Sequence, residues 1–190
     1  NFPQLTGDGV AICLKHGIAV RDLDYVQIHP TTLYTKRRGR RFLISESVRG
    51  EGGVLLDGAG RRFTDELKPR DVVTAAIRGQ MQKEGSECVW LDMRTIPPEE
   101  LRVHFPAIVK RCLEEGYAPF SRPVPVVPAQ HYFMGGIGSD PEGRTEMPRL
   151  FAVGETCCNG VHGKNRLASN SLLESLLFAR RAALRIGNTY

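Results

Sequence analysis

Apolar positions along this chain follow two interleaved rhythms, helical spacing in some stretches and short unbroken runs in others. The clearest helical stripe is Leu172, Leu173, Leu176, Leu177, Ala183 and Leu184, which predicts one apolar helix face near the carboxyl end. Ser171 and Glu174 read as an S-x-x-E capping box at its start. Arg180, Arg181 and Arg185 fall late, where cations suit the helix dipole, and Gly187 reads as a stop. The apolar run 150–153 predicts a buried strand ending at Gly154-Glu155, and Gly160 and Gly163 let the following loop bend.

Upstream, Val10, Ala11 and Leu14 predict the inner face of a helix over 10–16, after the turn Thr6-Gly7-Asp8-Gly9 and before Gly17. Pro69-Arg70-Asp71 opens a helix over 72–83, with Val72, Val73, Ala76, Ile77 and Met81 inward. Pro97-Pro98-Glu99-Glu100 opens another that runs to about 115, interrupted at Pro106 and stopped by Gly116. Strands are predicted over 25–28, 41–44 and 89–93. A hairpin is predicted from 54–56 and 61–63 around Asp57-Gly58-Ala59-Gly60. The proline-rich stretch 121–129 reads as an extended return crossing, and 139–144 as a turn. The mixture is α/β (α+β).

Composition narrows the class. The chain has 190 residues, 41% hydrophobic and 25% charged, which is ordinary for a globular protein with a real core. The net charge is +5, which suits an anionic ligand. The only dense basic cluster, Lys36-Arg37-Arg38-Gly39-Arg40-Arg41, has no interleaved aromatics and reads as a solvated loop rather than a nucleic-acid surface. The cysteine count is five, with no C-x-x-C, and predicts free thiols in a reducing, cytoplasmic setting. No apolar run reaches the length of a membrane span, and no signal-peptide pattern occurs. Asn1 does not look like a natural start, so the chain reads as an excerpt of a longer protein.

Several kinds of chemistry drop out. The five histidines show neither H-x-x-x-H nor Cys/His ligand spacing, so no metal site is expected. No G-x-S-x-G occurs, and no G-x-G-x-x-G follows a strand. A phosphate loop suggested by 160–165 fails, because Cys158 stands where the first glycine is needed and Asn165 where Ser or Thr is needed.

What remains is concentrated. A strand, a glycine-bearing loop and a helix start present N–H groups and a positive dipole end to an anionic or electron-accepting ligand. The loop carries His162, Lys164, Asn165 and Arg166, many polar groups for a mere connection, and Glu155 could accept from sugar hydroxyls. His29, before Pro30, should project from a strand end, either as a binding group or as a structural histidine. Glu46 and Arg49 are spaced to meet on one helical turn, as a surface ion pair or as part of a site beside Gly50, Gly52 and Gly53. Arg70 at a helix start is poorly placed for the dipole and suggests an anionic partner. His131 stands among apolar and glycine neighbours.

Five motifs occur in a fixed order: Ile28-His29-Pro30-Thr31; Ser45-Glu46-Ser47-Val48-Arg49-Gly50-Glu51-Gly52; Pro69-Arg70-Asp71-Val72-Val73; His131-Tyr132-Phe133-Met134-Gly135-Gly136; and Gly154-Glu155 through Asn170-Ser171-Leu172-Leu173. Together they resemble the succinate dehydrogenase/fumarate reductase flavoprotein family, over nearly the whole chain. The stretches Pro125–Tyr132 and Asn165–Asn170 are similar to the branch that oxidises L-aspartate.

The resemblance implies FAD as cofactor and a split architecture. Residues 1–24 and 129–190 would belong to a Rossmann-like FAD-binding domain, and 25–128 would form an inserted α+β capping domain. Glu155 would hold ribityl or ribose hydroxyls, and Asn170, Ser171 and Leu172 would lie against the isoalloxazine. His29, Ser45, Glu46, His131 and Arg166 would grip a C4 dicarboxylate, with serine where the family usually has threonine. Arg70 would be the catalytic arginine, with Glu46 and Arg49 as its proton path.

The implied reaction is oxidation of L-aspartate to iminoaspartate with dioxygen or fumarate as acceptor. That would be the first step of NAD biosynthesis, linked to quinolinate synthase. Two alternatives stay open: a fumarate reductase/succinate dehydrogenase flavoprotein subunit acting on fumarate or succinate, and an inactive capping-domain fragment. The family's glycine-rich βαβ unit is absent, so the chain alone should bind FAD poorly and be inactive.

Overall fold

The computed structural model describes residues 2, 4–37 and 39–189; Asn1 and, in the basic cluster, Arg38 lie outside the described residues. In chain order the elements are α1 (Asp8–Lys15), β1 (Val20–Arg21), β2 (Val26–Leu33), α2 (Glu46–Gly50), β3 (Val54–Leu56), α3 (Arg70–Glu84), β4 (Val89–Asp92), α4 (Pro98–His104), α5 (Pro106–Glu114), β5 (Val124–Phe133), β6 (Gly136–Gly138), β7 (Cys157–Cys158) and α6 (Asn170–Thr189). They divide into two compact units: Ile28–Gln130, and the residues flanking it on both sides. The fold is mixed α/β. Among the described residues no helix is long and apolar enough to cross a membrane.

The inserted unit is built on the sheet β2-β5-β4-β3. β3 and β4 run antiparallel with Leu55 opposite Leu91, and β4 pairs with β5 with Val89 opposite Val126. Val73 and Ile77 of α3, Leu101 of α4 and Cys112 of α5 close one core over this sheet. Local signals set these helices well. Pro69 caps α3, and Gly85 ends it in the left-handed region at φ 62°. The break between α4 and α5 falls at Pro106, which has no N–H to continue a helix. Val72, expected inward, is 42% exposed; the buried face of α3 is Arg70, Val73, Thr74 and Ile77.

Two strand expectations shift. β2 continues through Pro30 to Leu33, so His29 lies mid-strand rather than at its end. β2 is the edge of its sheet, where a proline's missing donor is tolerated. The stretch 41–44 pairs only locally, through the Thr32–Leu43 bridge.

The flanking unit holds a three-stranded sheet. β1 and β6 are antiparallel, and β6 and β7 are parallel with Ile137 opposite Cys157. Gly135 and Gly136 make this sheet possible. A Cβ on Gly135 would overlap the Asp22 carbonyl, one on Gly136 would overlap the Thr156 carbonyl, and Gly136 has φ 144°. On α1 the buried residue is Cys13; Ala11 and Leu14 face out.

The run 150–153 is not a strand. Phe151 forms one bridge to Arg144, the Ala152 N–H goes to the Gly143 carbonyl, and Gly154 (φ 72°) turns the chain into a short 3-10 segment, Gly154–Thr156. The strand comes later, as β7.

α6 differs most from expectation. Ser169 (φ 63°) precedes the helix, so Ser171 lies in its first turn and not at a cap. Glu174 points inward, with Phe178 and Ala182 one and two turns on, whereas Leu172, Leu173, Leu176, Leu177 and Leu184 are all exposed. Gly187 continues the helix instead of stopping it. The buried carboxylate at 174 inverts the side that hydropathy alone selects.

Candidate functional site

Two clusters of charged side chains hold the expected residues, one in each unit. In the inserted unit Ser45 caps α2, its Oγ accepting the Ser47 N–H at 3.2 Å. That capping sets Glu46 at the first helical position. Glu46 Oε2 accepts from Arg70 Nε at 2.7 Å and Nη2 at 2.6 Å, so the anionic partner that Arg70 needs at the start of α3 is a carboxylate of its own unit. Glu46 thus bonds across 24 residues to Arg70 rather than to Arg49 on its own helical turn.

Arg49 is 2% exposed and donates from Nη1 to the Glu66 carbonyl, while its Nε and Nη2 have no hydrogen-bond partner among the described residues. Burial lowers its pKa, Glu46 and Glu66 raise it, and Arg70 pushes it down. Glu66, which sequence reasoning missed, is buried; it accepts from the Leu55 N–H at 2.8 Å and from Arg62 Nη2 at 2.6 Å. His29 is 1% exposed, with Nε2 2.8 Å from the Ile44 carbonyl, which makes Nε2 the protonated nitrogen.

In the flanking unit the loop before α6 is tied inward. Gln27 Nε2 donates to the Arg166 carbonyl at 2.7 Å and to Asn165 Oδ1 at 2.9 Å. The Arg166 guanidinium carbon lies 4.4 Å from the centre of the Tyr132 ring, and Nη1 donates to the Leu167 carbonyl at 3.3 Å. His162 meets the same ring edge-on, with centroids 5.6 Å apart at 89°. Its Nε2 is 4.0 Å from Glu174 Oε2, while Glu174 Oε1 accepts from Asn159 Nδ2 at 2.6 Å. Burial, then Glu155 and Glu174, push the Tyr132 hydroxyl up to about 12, against the opposing pull of Arg166.

Gln27, Tyr132, Asn159 and the inward role of Glu174 were not anticipated. The only hint for Tyr132 was its place beside His131 in one motif. His131 itself is half-buried at the end of β5. Glu155 is exposed in the 3-10 segment, its Oε1 accepting the Phe133 N–H at 2.9 Å. Asn170 and Ser171 are half-buried and Leu172 is exposed, in the first turn of α6. Among the described residues no group of three His, Cys, Asp or Glu side chains could hold a metal ion.

These features define a class. Residues 1–172 match the FAD binding domain family, and the chain belongs to it, within the flavoproteins of succinate dehydrogenase and fumarate reductase. Relatives by sequence narrow this further. The chain is 54% identical to the L-aspartate oxidase of Clostridium perfringens over 98% of its own length and 42% of that protein's. It is 51% identical to the L-aspartate oxidase of Clostridium acetobutylicum over 100% of its own length and 44% of that protein's. Among solved structures, a mutated quinol fumarate reductase of E. coli superposes with TM-score 0.84 at 35% identity, over 95% of this chain and 34% of that one. The chain thus spans less than half the length of these relatives.

FAD is the cofactor of this family, and the residues present fit its ring end. The first-turn N–H groups of a helix as long as α6 suit a partly anionic ring edge. Exposed Leu172 and Leu173 offer apolar contact beside them, at 67% and 66% exposure, and the exposed Glu155 carboxylate suits hydroxyl groups.

Proposed function

We propose that this chain is part of a flavoenzyme that oxidises L-aspartate to iminoaspartate. The Arg70–Glu46 pair, with Arg49 buried in the same unit, carries the reading: it is a preset guanidinium–carboxylate array suited to a small diacid and its proton. The identity of 54% with an L-aspartate oxidase supports L-aspartate as the substrate. Residues 25–128 act as the capping domain, and 1–24 with 129–190 as part of the FAD-binding domain.

FAD, when bound, would supply a hydride acceptor; the oxidation removes a hydride from Cα and one proton from the amine, which passes to solvent as the C=N bond forms. Glu155, Asn170, Ser171 and Leu172 hold the cofactor. The groups proposed to bind and orient the diacid are Arg166 and His131 in the flanking unit, and His29, Ser45 and Glu46 in the inserted unit. Aligning Cα by its two carboxylates is the main catalytic device, because orientation converts a bimolecular encounter into a single-step transfer. Arg70 stays protonated during the oxidation. It orients the substrate and stabilises negative charge during oxidation, and it gives up a proton only in the reverse, fumarate-reducing direction, refilled through Glu46 and Arg49. Dioxygen or fumarate is the terminal acceptor, and the product feeds quinolinate synthase in NAD biosynthesis in the cytoplasm.

The TM-score of 0.84 with a fumarate reductase favours a second reading, a flavoprotein subunit acting on fumarate or succinate. The full-length protein, given L-aspartate and dioxygen, should yield peroxide. Succinate oxidation without aspartate turnover would assign the second reading instead. Arg70→Lys should cut aspartate turnover by about 100-fold, the scale of removing one oriented charge donor; unchanged rates in both directions would remove Arg70 from the mechanism.

A further inference from the structure

The proposed mechanism uses Arg166 but leaves the residues around it without a task. Its carbonyl accepts from the Gln27 side chain, which also donates to the side-chain oxygen of Asn165 one residue earlier. Its guanidinium lies over the Tyr132 ring at 4.4 Å, within the range of a cation–π contact. Tyr132 is in turn wedged by His162, whose ring stands at 89° to it.

His162 is an expensive wedge. Its side chain is 8% exposed, and neither ring nitrogen has a hydrogen-bond partner among the described residues. Burying polar nitrogens without partners costs free energy, so such a group calls for a physical reason. Here the reason is steric and electrostatic. The imidazole packs perpendicular to the Tyr132 ring and fills the space beside it, and its Nε2 lies 4.0 Å from Glu174. A planar guanidinium this close to an aromatic face is favoured by stacking on it.

We propose that Tyr132, backed by His162, is a positioning residue that sets the plane of the Arg166 guanidinium and so the angle at which a substrate carboxylate is accepted. The inference rests on the reading of Arg166 as a carboxylate clamp. A carboxylate takes two parallel N–H bonds only when it lies in the guanidinium plane; a tilted guanidinium offers one. Tyr132 therefore acts on diacid affinity, and the hydride step should feel it much less.

The test uses the full-length enzyme with FAD bound. Tyr132→Leu removes the ring face, and Tyr132→Phe keeps it. His162→Ala removes the wedge, and His162→Phe keeps an edge-on ring. Tyr132→Leu should raise both the KM for L-aspartate and the Kd for succinate, read from the flavin absorbance change, by about tenfold. Its kcat should stay within about threefold. Tyr132→Phe should restore both constants, and His162→Ala should fall between, with His162→Phe near wild type. Wild-type constants in Tyr132→Leu overturn the proposal.

Should Tyr132→Leu fail to fold or to keep FAD, the histidine pair decides: equal constants in His162→Ala and His162→Phe overturn it. A crystal structure of Tyr132→Leu, or of His162→Ala, in which Arg166 keeps its plane overturns it whatever the activity; a turned guanidinium supports it. Failure of the functional reading looks different, because the wild-type enzyme itself would then neither turn over L-aspartate nor bind succinate.

Discussion

Single residues in this protein act through what surrounds them. Gly135 and Gly136 stand where two carbonyls leave no room for a side chain. Gly136→Ala should lose about 3 kcal/mol or more, through backbone strain and overlap. Gly79, inside α3 with open space at its Cβ position, should do the reverse, gaining roughly 0.5–1 kcal/mol as alanine. Thermal melts of the two variants against wild type measure both signs.

His162 makes a pH prediction. Burial lowers its pKa from the ordinary 6.5, Glu174 opposes that shift and Arg166 adds to it. With the folded value below the unfolded one, the unfolded chain binds the extra proton first as pH drops. Stability is therefore full above pH 6.5 and should fall as the pH passes below it toward the folded value. His162→Phe should flatten that part of a denaturation-versus-pH profile; an unchanged slope would mean that other groups carry it.

At the scale of elements, α6 decides most. Its buried face is Glu174, Phe178 and Ala182, and its leucines are exposed. Phe178→Ala should cost about 3–5 kcal/mol. Leu176→Gln, on the exposed side, should stay within about 0.5 kcal/mol in this chain. Urea midpoints distinguish the two faces, and equal losses would contradict the orientation. The other elements divide by the kind of signal they carry. α3 and the α4/α5 break were legible because Pro69, Gly85 and Pro106 act within one turn of where they stand. The stretch 150–153 was not, because its backbone donors go to the 140–147 turn rather than to a sheet.

At the scale of the whole molecule, two units share one chain, and the flanking one is assembled from both ends of the sequence. Among these residues no G-x-G-x-x-G follows a strand. The 190-residue chain by itself should therefore retain little FAD through gel filtration, whereas the full-length protein should elute yellow. Stoichiometric flavin on the short chain would show that these residues suffice to hold it.

By itself, the amino-acid order determined the family, through five motifs in sequence, and most helix limits. Both follow from local chemistry: a proline lacks its N–H, a glycine reaches positive φ, and a motif is read from neighbours. Only the tertiary structure decided who pairs with whom. Glu46 meets Arg70 across 24 residues, Gln27 meets Asn165 across 138, and Glu174 turns inward to Asn159. Such pairings depend on which backbone segments approach each other, and that is set by packing the entire core rather than by spacing along the chain.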